Sequence, residues 1–562
     1  MSGQPSAAIN WFKAALRNAR SPGLSIRQKD SLATLALAGL LLFATLLQAG
    51  CASLPTDYPR TPSTALMLTA DTRLGLMSSR VLAGHPGVSG VRLFNRGTDA
   101  FLARLALAEA AEQSLDIQYY TWHGDTTGKV LLERVLRAAG RGVRVRLLLD
   151  DIGAAAEDGG LLAIDSHPNI EVRLFNPIAA RSAKMLGLVA DFSRANRRMH
   201  NKSFTADNQA TIVGGRNIGD EYFEARPDIG FADLDLLAIG PVVGEVSSEF
   251  DLYWNSPLAF PITAISQALP SDAERRQALA GLQEFVQSQK GASYAQSLKS
   301  SGLAEGLAEG KLGFSYGKAR VVADDPMKIL TEAADESGRL LPNLRPEFES
   351  LCSELVLVSP YFVPGDEGVA GLRSLVQRGV KVRVLTNSLA STDVPAVHAG
   401  YQRYRQALLE AGVELHELKP SANRDAGQGS AAGSRDGGEK GALTGSSRAS
   451  LHAKTLIFDR RTLFVGSMNL DPRSLVSNTE IGVVVEQDRL AATQVEKIDS
   501  RLSTIAFRLE LTPATGPGAT PEIEWVTTRE GQAVRYSTEP MTNAWQRFKI
   551  WFYSLLPIEH LL

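Results

Sequence analysis

Residues 200–207 read HNKSFTAD and residues 452–459 read HAKTLIFD, and each is followed at matching distances by a glycine and an asparagine: Gly214-Gly215-Arg216-Asn217 and Gly466-Ser467-Met468-Asn469. Both fit the pattern His-x-Lys-x4-Asp. In extended chain, residues two apart project from one face, so each copy presents an imidazole beside an ammonium. After each lysine the sequence alternates toward a short turn (Asp207-Asn208-Gln209 and Asp459-Arg460-Arg461) and a second apolar run, which predicts a hairpin holding the pair. A lone histidine is most often structural or solvated, but two such triplets with matched sequels are not a chance pattern. Each copy supplies one half of a site.

Outward from these motifs the chain repeats itself. Ser114–Trp122, SLDIQYYTW, alternates as a strand; Gly128 to Ala139 reads as a helix; Arg141–Asp151, RGVRVRLLLDD, reads as the next strand. The same order returns in Glu354–Phe362 (ELVLVSPYF), a helix through Leu372 to Gln377, and Arg378–Ser388 (RGVKVRVLTNS). Strand, helix, strand is the unit of a parallel sheet, so the fold class is α/β, pseudo-duplicated, with central β-sheets flanked by helices. Arg141 and Arg378 stand 237 apart while His200 and His452 stand 252 apart, so the second copy carries 15 further residues. They fall in 421–450, a flexible Gly/Ser-rich loop with almost no apolar content, ahead of the second motif as a plain linker or a lid. The expected division is 52–90 as linker, 91–256 as first half, 257–345 as a helical insertion, 346–510 as second half and 511–562 as a C-terminal segment.

The 562 residues, 44% of them hydrophobic, suffice for two cores and exclude a stapled peptide or a disordered chain. Lys and Arg number 59 against 61 Asp and Glu, and a net charge of -2 gives no field for counterion release, so no nucleic acid partner is expected. Two cysteines, Cys51 and Cys352, make neither a disulfide framework nor a Cys-based zinc site. Cys352, just ahead of an apolar strand, is expected to be a small buried hydrophobe.

The paired motifs resemble the HKD motifs of the phospholipase D superfamily, which fold as two α/β halves with one active site at their interface. The runs LLLDD, SHPNIEVRLFNP, DFSRANRRMHNKSF, VGGRNIGDEYF, LDLLAIGPVV, LTNSLASTDVPAVHAGY and LHAKT are similar to the bacterial class C cardiolipin synthases, and the likeness spans about residues 95–562. A phosphodiester is anionic, and Lys202 and Lys454 can supply positive charge to its oxygens with no metal and no cofactor. Asn217 and Asn469 add amide donors for phosphate binding. One imidazole can attack phosphorus while the other protonates the leaving alkoxide and later deprotonates the acceptor. The resemblance implies His200 as nucleophile, forming a phosphatidyl-histidine, and His452 as general acid and then base. Each imidazole needs an acceptor to fix its tautomer, and Asp235 and Glu480 stand at matching places for this orienting role. Asp207 and Asp459 complete the catalytic motifs, although in the family they look more structural, in a turn or an ion pair. Gly215 stands where the second copy has Ser467, so the first copy lacks that hydroxyl. His398 is either a headgroup contact or a satisfied structural histidine.

At the start, Lys13, Arg17, Arg20, Arg27 and Lys29 precede LATLALAGLLLFATLL (Leu32 to Leu47) and then Gln48-Ala49-Gly50-Cys51. Residues 1–51 read as a signal or membrane anchor: a lipoprotein signal with Cys51 as lipid anchor, an uncleaved span, or a buried helix. The C-terminal WQRFKIWFYSLLPIEHLL (Trp545 to Leu562) has an interfacial composition, and a helix packed on the second half fits it equally. The expected function is a phosphatidyltransferase making cardiolipin from phosphatidylglycerol and a second phospholipid, with phosphatidylethanolamine implied by the resemblance. The alternatives are a phospholipase D-type phosphodiesterase using water, and a noncatalytic lipoprotein scaffold. Phospholipid substrates and a membrane surface are the expected partners, at the bacterial cell envelope.

Overall fold

In the computed structural model, the described residues are 53–154, 158–226, 229–266, 271–288, 294, 296, 298, 303, 312–332, 335–420, 448–512, 521–529, 531–556 and 559. The amino-terminal segment with Cys51 and most of the Gly/Ser-rich loop (421–447) lie outside them. Among the described residues, no helix is long and apolar enough to cross a membrane.

Each half is built on three parallel strands. In the first, Ser114–Tyr119, Arg144–Asp150 and Ile170–Phe175 run side by side; in the second, Glu354–Val358, Lys381–Asn387 and Glu414–Leu418 do the same. The helices Thr126–Gly140 and Gly365–Gln377 make the crossovers. The repeated Arg-Gly-Val explains itself here: Gly142 (φ 98°) and Gly379 (φ 89°) take the left-handed conformation that turns each helix into its strand. The arginine before each glycine donates to the end of the preceding segment, Arg141 to the Ala108 carbonyl and Arg378 to that of Leu351. Antiparallel to these strands lie the motif hairpins, Ser203–Ala206 with Ala210–Gly214 and Thr455–Phe458 with Thr462–Gly466.

The stretch 257–345 is not simply a helical insertion. It holds the helix Asp272–Gln287, but also the strand Ala259–Pro261 and the nine-residue strand Ser315–Ala323. The latter pairs through Ser315, Tyr316 and Gly317 with Ser89–Val91, where the first half's opening strand begins two residues inside the expected linker, and through Lys318–Ala323 with Ile481–Glu486 of the second half, joining both into one 18-stranded sheet. Its alternation is legible in SYGKARVVA, yet the Ala- and Glu-rich sequence around it dominates the composition. Behind the motif hairpins the halves share one apolar core, in which Val213, Leu236 and Val246 pack with Val358, Ile457 and Val465.

Residues 178–196 belong to a second compact unit. Within it, Ile178, Ala180 and Ala195 are buried, while the helix Lys184–Ala190 exposes Met185 and Val189. Cys352 is exposed, against expectation: it sits on the bend before the strand, where its backbone N–H, not its thiol, is engaged by Asp459.

Candidate active site

Each histidine begins the approach to its hairpin strand and is held by the other half. His200 donates its backbone N–H to the Thr479 carbonyl at 2.9 Å, and Thr479 returns a bond to Arg198. His452 donates to the Ala232 carbonyl at 2.8 Å. Just ahead of it, Arg448–Leu451 forms a parallel two-stranded ribbon with Ile229–Ala232, so the expected loop 421–450 ends in a strand. These crossed contacts bring both motifs to one site.

The side chains repeat the crossing. His200 Nδ1 lies 2.8 Å from Oε2 of Glu480, and His452 Nδ1 lies 2.7 Å from Oδ2 of Asp233. A carboxylate at Nδ1 fixes the N–H there and leaves Nε2 with its lone pair free for chemistry. Asp235 does not orient a histidine. It is wholly buried between Arg104, at 2.8 Å, and Arg216, at 3.5 Å. The strand register shows why Asp233 takes the role instead. Gly214 faces Asp235 and Gly466 faces Gly482, so the acids two residues earlier, Asp233 and Glu480, are the true repeat mates.

Gly215 also finds its reason. A Cβ there would stand 2.3 Å from Oδ1 of Asp233, so the shorter acid occupies the volume a side chain would fill. In the second half the longer Glu480 leaves room for Ser467, whose hydroxyl donates to it at 2.5 Å and accepts from Ile481 N at 3.0 Å.

Both lysines are almost completely buried and reach back to their own histidine carbonyls, Lys202 Nζ at 2.5 Å from the His200 oxygen and Lys454 to that of His452. Burial pushes Lys202 well below the usual ammonium range, and the Lys454 charge pushes it further; burial brings Lys454 to about 8. A buried ammonium whose ionisation a second one makes costlier marks a site that an anion would relieve. The imidazoles are held neutral. Burial lowers His200 well below its ordinary value, helped by Lys202, Lys454 and Arg473, and lowers His452 to about 4 with Lys454 adding to it. Burial alone would raise Asp233, but His452, Lys454 and Arg216 hold it below the usual carboxylate range. Glu480 is pushed up to about 7 by burial, against the pull of Lys202.

Aromatic rings wall the site. Tyr120 meets His200 edge-on at 5.2 Å, and Tyr222 and Phe231 flank His452 at 5.0 and 5.1 Å. Asn217 gives its amide N–H to the Tyr222 hydroxyl at 3.0 Å and accepts from Thr121 N, while Asn469 makes no side-chain hydrogen bond among the described residues.

Asp207 and Asp459 are not in the site. Each lies past the far end of its hairpin strand, seven residues or about 20 Å of extended chain from the histidine. There the Asp207 carboxylate accepts from the N–H groups of Glu112, Gln113 and Ser114, and that of Asp459 from Cys352, Ser353 and Glu354. Both residues have φ near 50°, a turn conformation that Asp tolerates. Their motif position therefore ties the hairpin turn to the start of the first parallel strand. His398 is structural as well, buried with Nε2 at 3.0 Å from Glu539 and 2.6 Å from Arg405.

The chain matches, over residues 105–254 and 347–502, the family described as "Cardiolipin synthase, PLD-like domain". It is 42% identical over 480 residues to cardiolipin synthase C of Escherichia coli (strain K12), covering 85% of this chain and 97% of that protein. It is 27% identical over 411 residues to cardiolipin synthase A of Pseudomonas entomophila (strain L48), covering 73% and 67%. Among solved structures it is similar to phosphatidylserine synthase of Haemophilus influenzae Rd KW20, with a TM-score of 0.51 and 13% identity over 86% of this chain and 100% of that one, a likeness of fold. The duplicated family match and the near full-length identity fall on the two halves that cross-brace His200 and His452: the chain belongs to the phospholipase D-like cardiolipin synthase family.

Proposed function

We propose that this phosphatidyltransferase makes cardiolipin at a membrane surface from phosphatidylglycerol and a second phospholipid, phosphatidylethanolamine, through a phosphatidyl-histidine on His200. The observation that carries the reading is the crossed pair of neutral imidazoles, each tied through Nδ1 to an acid of the other half and set beside a buried lysine. Nε2 of His200 attacks phosphorus, the bond to the headgroup oxygen breaks, and His452 gives that oxygen its proton. The incoming phosphate charge favours the protonated form of His452 that this step needs. In the second step His452 takes the proton of a phosphatidylglycerol hydroxyl, which attacks phosphorus and releases His200. Lys202, Lys454 and Asn469 stabilise the charge that grows on the non-bridging oxygens, and Asn217 lines the same pocket.

An ammonium headgroup has a counterpart in Asp393. Its carboxylate accepts from the Tyr361 hydroxyl at 2.8 Å, has no cation within ion-pair distance among the described residues, and acts on both His452 and Lys454. A carboxylate with no paired cation near an anion-binding site disfavours a purely anionic donor and favours one carrying a positive charge. Cys51 as lipid anchor and the 1–51 signal belong to the same proposal, as the means of holding the enzyme at the bacterial envelope.

The test is incubation of the purified protein with labelled phosphatidylglycerol, with and without phosphatidylethanolamine. Cardiolipin requiring both lipids supports the reading; phosphatidic acid alone makes the enzyme a hydrolase; no product from either leaves a scaffold. His452→Ala should stall with label on the protein, and an unlabelled variant counts against His200 as nucleophile.

A further inference from the structure

We propose that the C-terminal helix Ala544–Ser554 seats in the headgroup region of a phospholipid bilayer and holds the mouth of the site against it. This deepens the lipid reading of the active site and rests on it.

One face of the helix is committed to the protein. Ile550 is 1% exposed and packs with Leu389 and Ala399, with Tyr553 against them. Asn543 and Gln546 form a capping box at its start, and Arg403 reaches the Ser554 carbonyl at its end. Glu539, just upstream, is clamped by His398 at 3.0 Å and Arg405 at 2.7 Å. A helix fixed in this way has no freedom to fold its other face inward.

That other face is apolar and open. Trp545 is 63% exposed, Phe548 48%, Trp551 54%, Phe552 48% and Leu555 61%. The rings form a row, with Trp545 and Phe548 stacked at 5.5 Å and Phe548 and Trp551 at 5.7 Å. Scattered exposed hydrophobes need no explanation, whereas a contiguous aromatic row on a single short helix does. Its chemistry selects the occupant. The helix carries Arg547 and Lys549 and no acid, and Lys549 Nζ lies 6.0 Å above the Trp545 ring. Tryptophan beside cations is the composition that settles at the level of lipid headgroups and is drawn to anionic ones.

The placement serves the site. Leu389, under Ile550, comes two residues after Asn387, which accepts from Leu451 N at 2.8 Å and donates to its carbonyl at 3.0 Å, immediately before His452. The helix Pro395–Gln402, which carries Ala399, begins two residues after Asp393. The aromatic row is thus fastened to the segment that positions the second histidine.

The experiment uses the full chain with vesicles of phosphatidylglycerol and phosphatidylethanolamine carrying brominated acyl chains, which quench tryptophan on contact. Trp122, Trp254 and Trp525 are buried, so Trp545 and Trp551 dominate the accessible signal of the described residues. We expect brominated lipid to cut the emission of the wild type at least twofold more than that of W545F/W551F. Equal quenching of the two proteins overturns the proposal. So does a concentration-dependent dimer in lipid-free sedimentation that F548D/W551D abolishes, since the face would then belong to a second copy. Quenching is read without turnover, so its failure leaves the transfer assay standing, and failed transfer with quenching intact counts against the catalytic reading alone.

Discussion

The two halves hold their histidines by different means. Around His200 the second half uses a long acid with a hydroxyl to steady it, Glu480 with Ser467; around His452 the first half uses a short acid with no hydroxyl, Asp233 over Gly215, steadied by the Leu234 N–H at 2.7 Å. The longer side chain, deprived of water, is pushed up to about 7, whereas the shorter one, sealed among His452, Lys454 and Arg216, stays ionised below the usual range. Duplication has therefore preserved the position of the acid while letting its neighbours diverge. An ionised Asp233 suits a histidine that must hold a proton on the way to the leaving group, and a Glu480 of higher proton affinity suits one that must stay neutral to attack.

Substitutions at these two acids and their neighbours test the contrast. Asp233→Asn should lower kcat by about 10³-fold or more, because the ionised partner of His452 is lost and the tautomer is no longer fixed. Glu480→Gln should cost less, about 10- to 100-fold, since an acid near 7 is already partly neutral at working pH. Equal losses measured in steady-state transfer assays would erase the distinction. Gly215→Ser should come next: the new Cβ meets the Asp233 carboxylate, and we expect about 1–3 kcal/mol of lost stability with activity falling alongside. Adding Asp233→Glu to that variant should recover part of the activity if the two halves use interchangeable solutions, which a double-mutant cycle measures.

The pH profile is a milder probe. Lys454, lowered to about 8, carries its charge below that value and loses it above, so kcat/KM for a phospholipid should fall as pH rises through about 8. Lys454→Arg should move this alkaline limb out of range, because guanidinium stays charged. An unchanged limb would assign the loss elsewhere. The smallest effect on turnover is expected at the hairpin turns, which lie outside the site and act on stability. Asp207→Ala strands three N–H groups at a fully buried carboxylate and should cost about 3 kcal/mol, while Asp459→Ala, in a half-buried turn, should cost about 1–2 kcal/mol; thermal or denaturant unfolding reads the difference.

Much of this was legible in the residues. The duplicated strand-helix-strand pattern and the His-x-Lys pairs predict the parallel sheets and their hairpins, because alternation and spacing are local properties that tertiary contacts leave intact. The orienting acid of His452 was not. Asp233 and Asp235 stand two apart in one extended segment, and choosing between them requires the register against Gly214 and Gly466. One signal was available: a glycine in place of Ser467 announces that some other group fills that space. The bridging strand was hidden for a different reason, since its partners lie 224–228 residues upstream and 158–168 residues downstream, and no local pattern names them.

That strand has a consequence for the chain as a heritable object. A fragment ending before Ser315 would leave Ser89–Phe94 as a raw sheet border, prone to pairing with other molecules, and would also part His452 from Asp233 and His200 from Glu480. Neither piece could then serve as a working ancestor or a complementing fragment, so a gene cut at the boundary between the repeats should yield aggregation in place of two smaller enzymes.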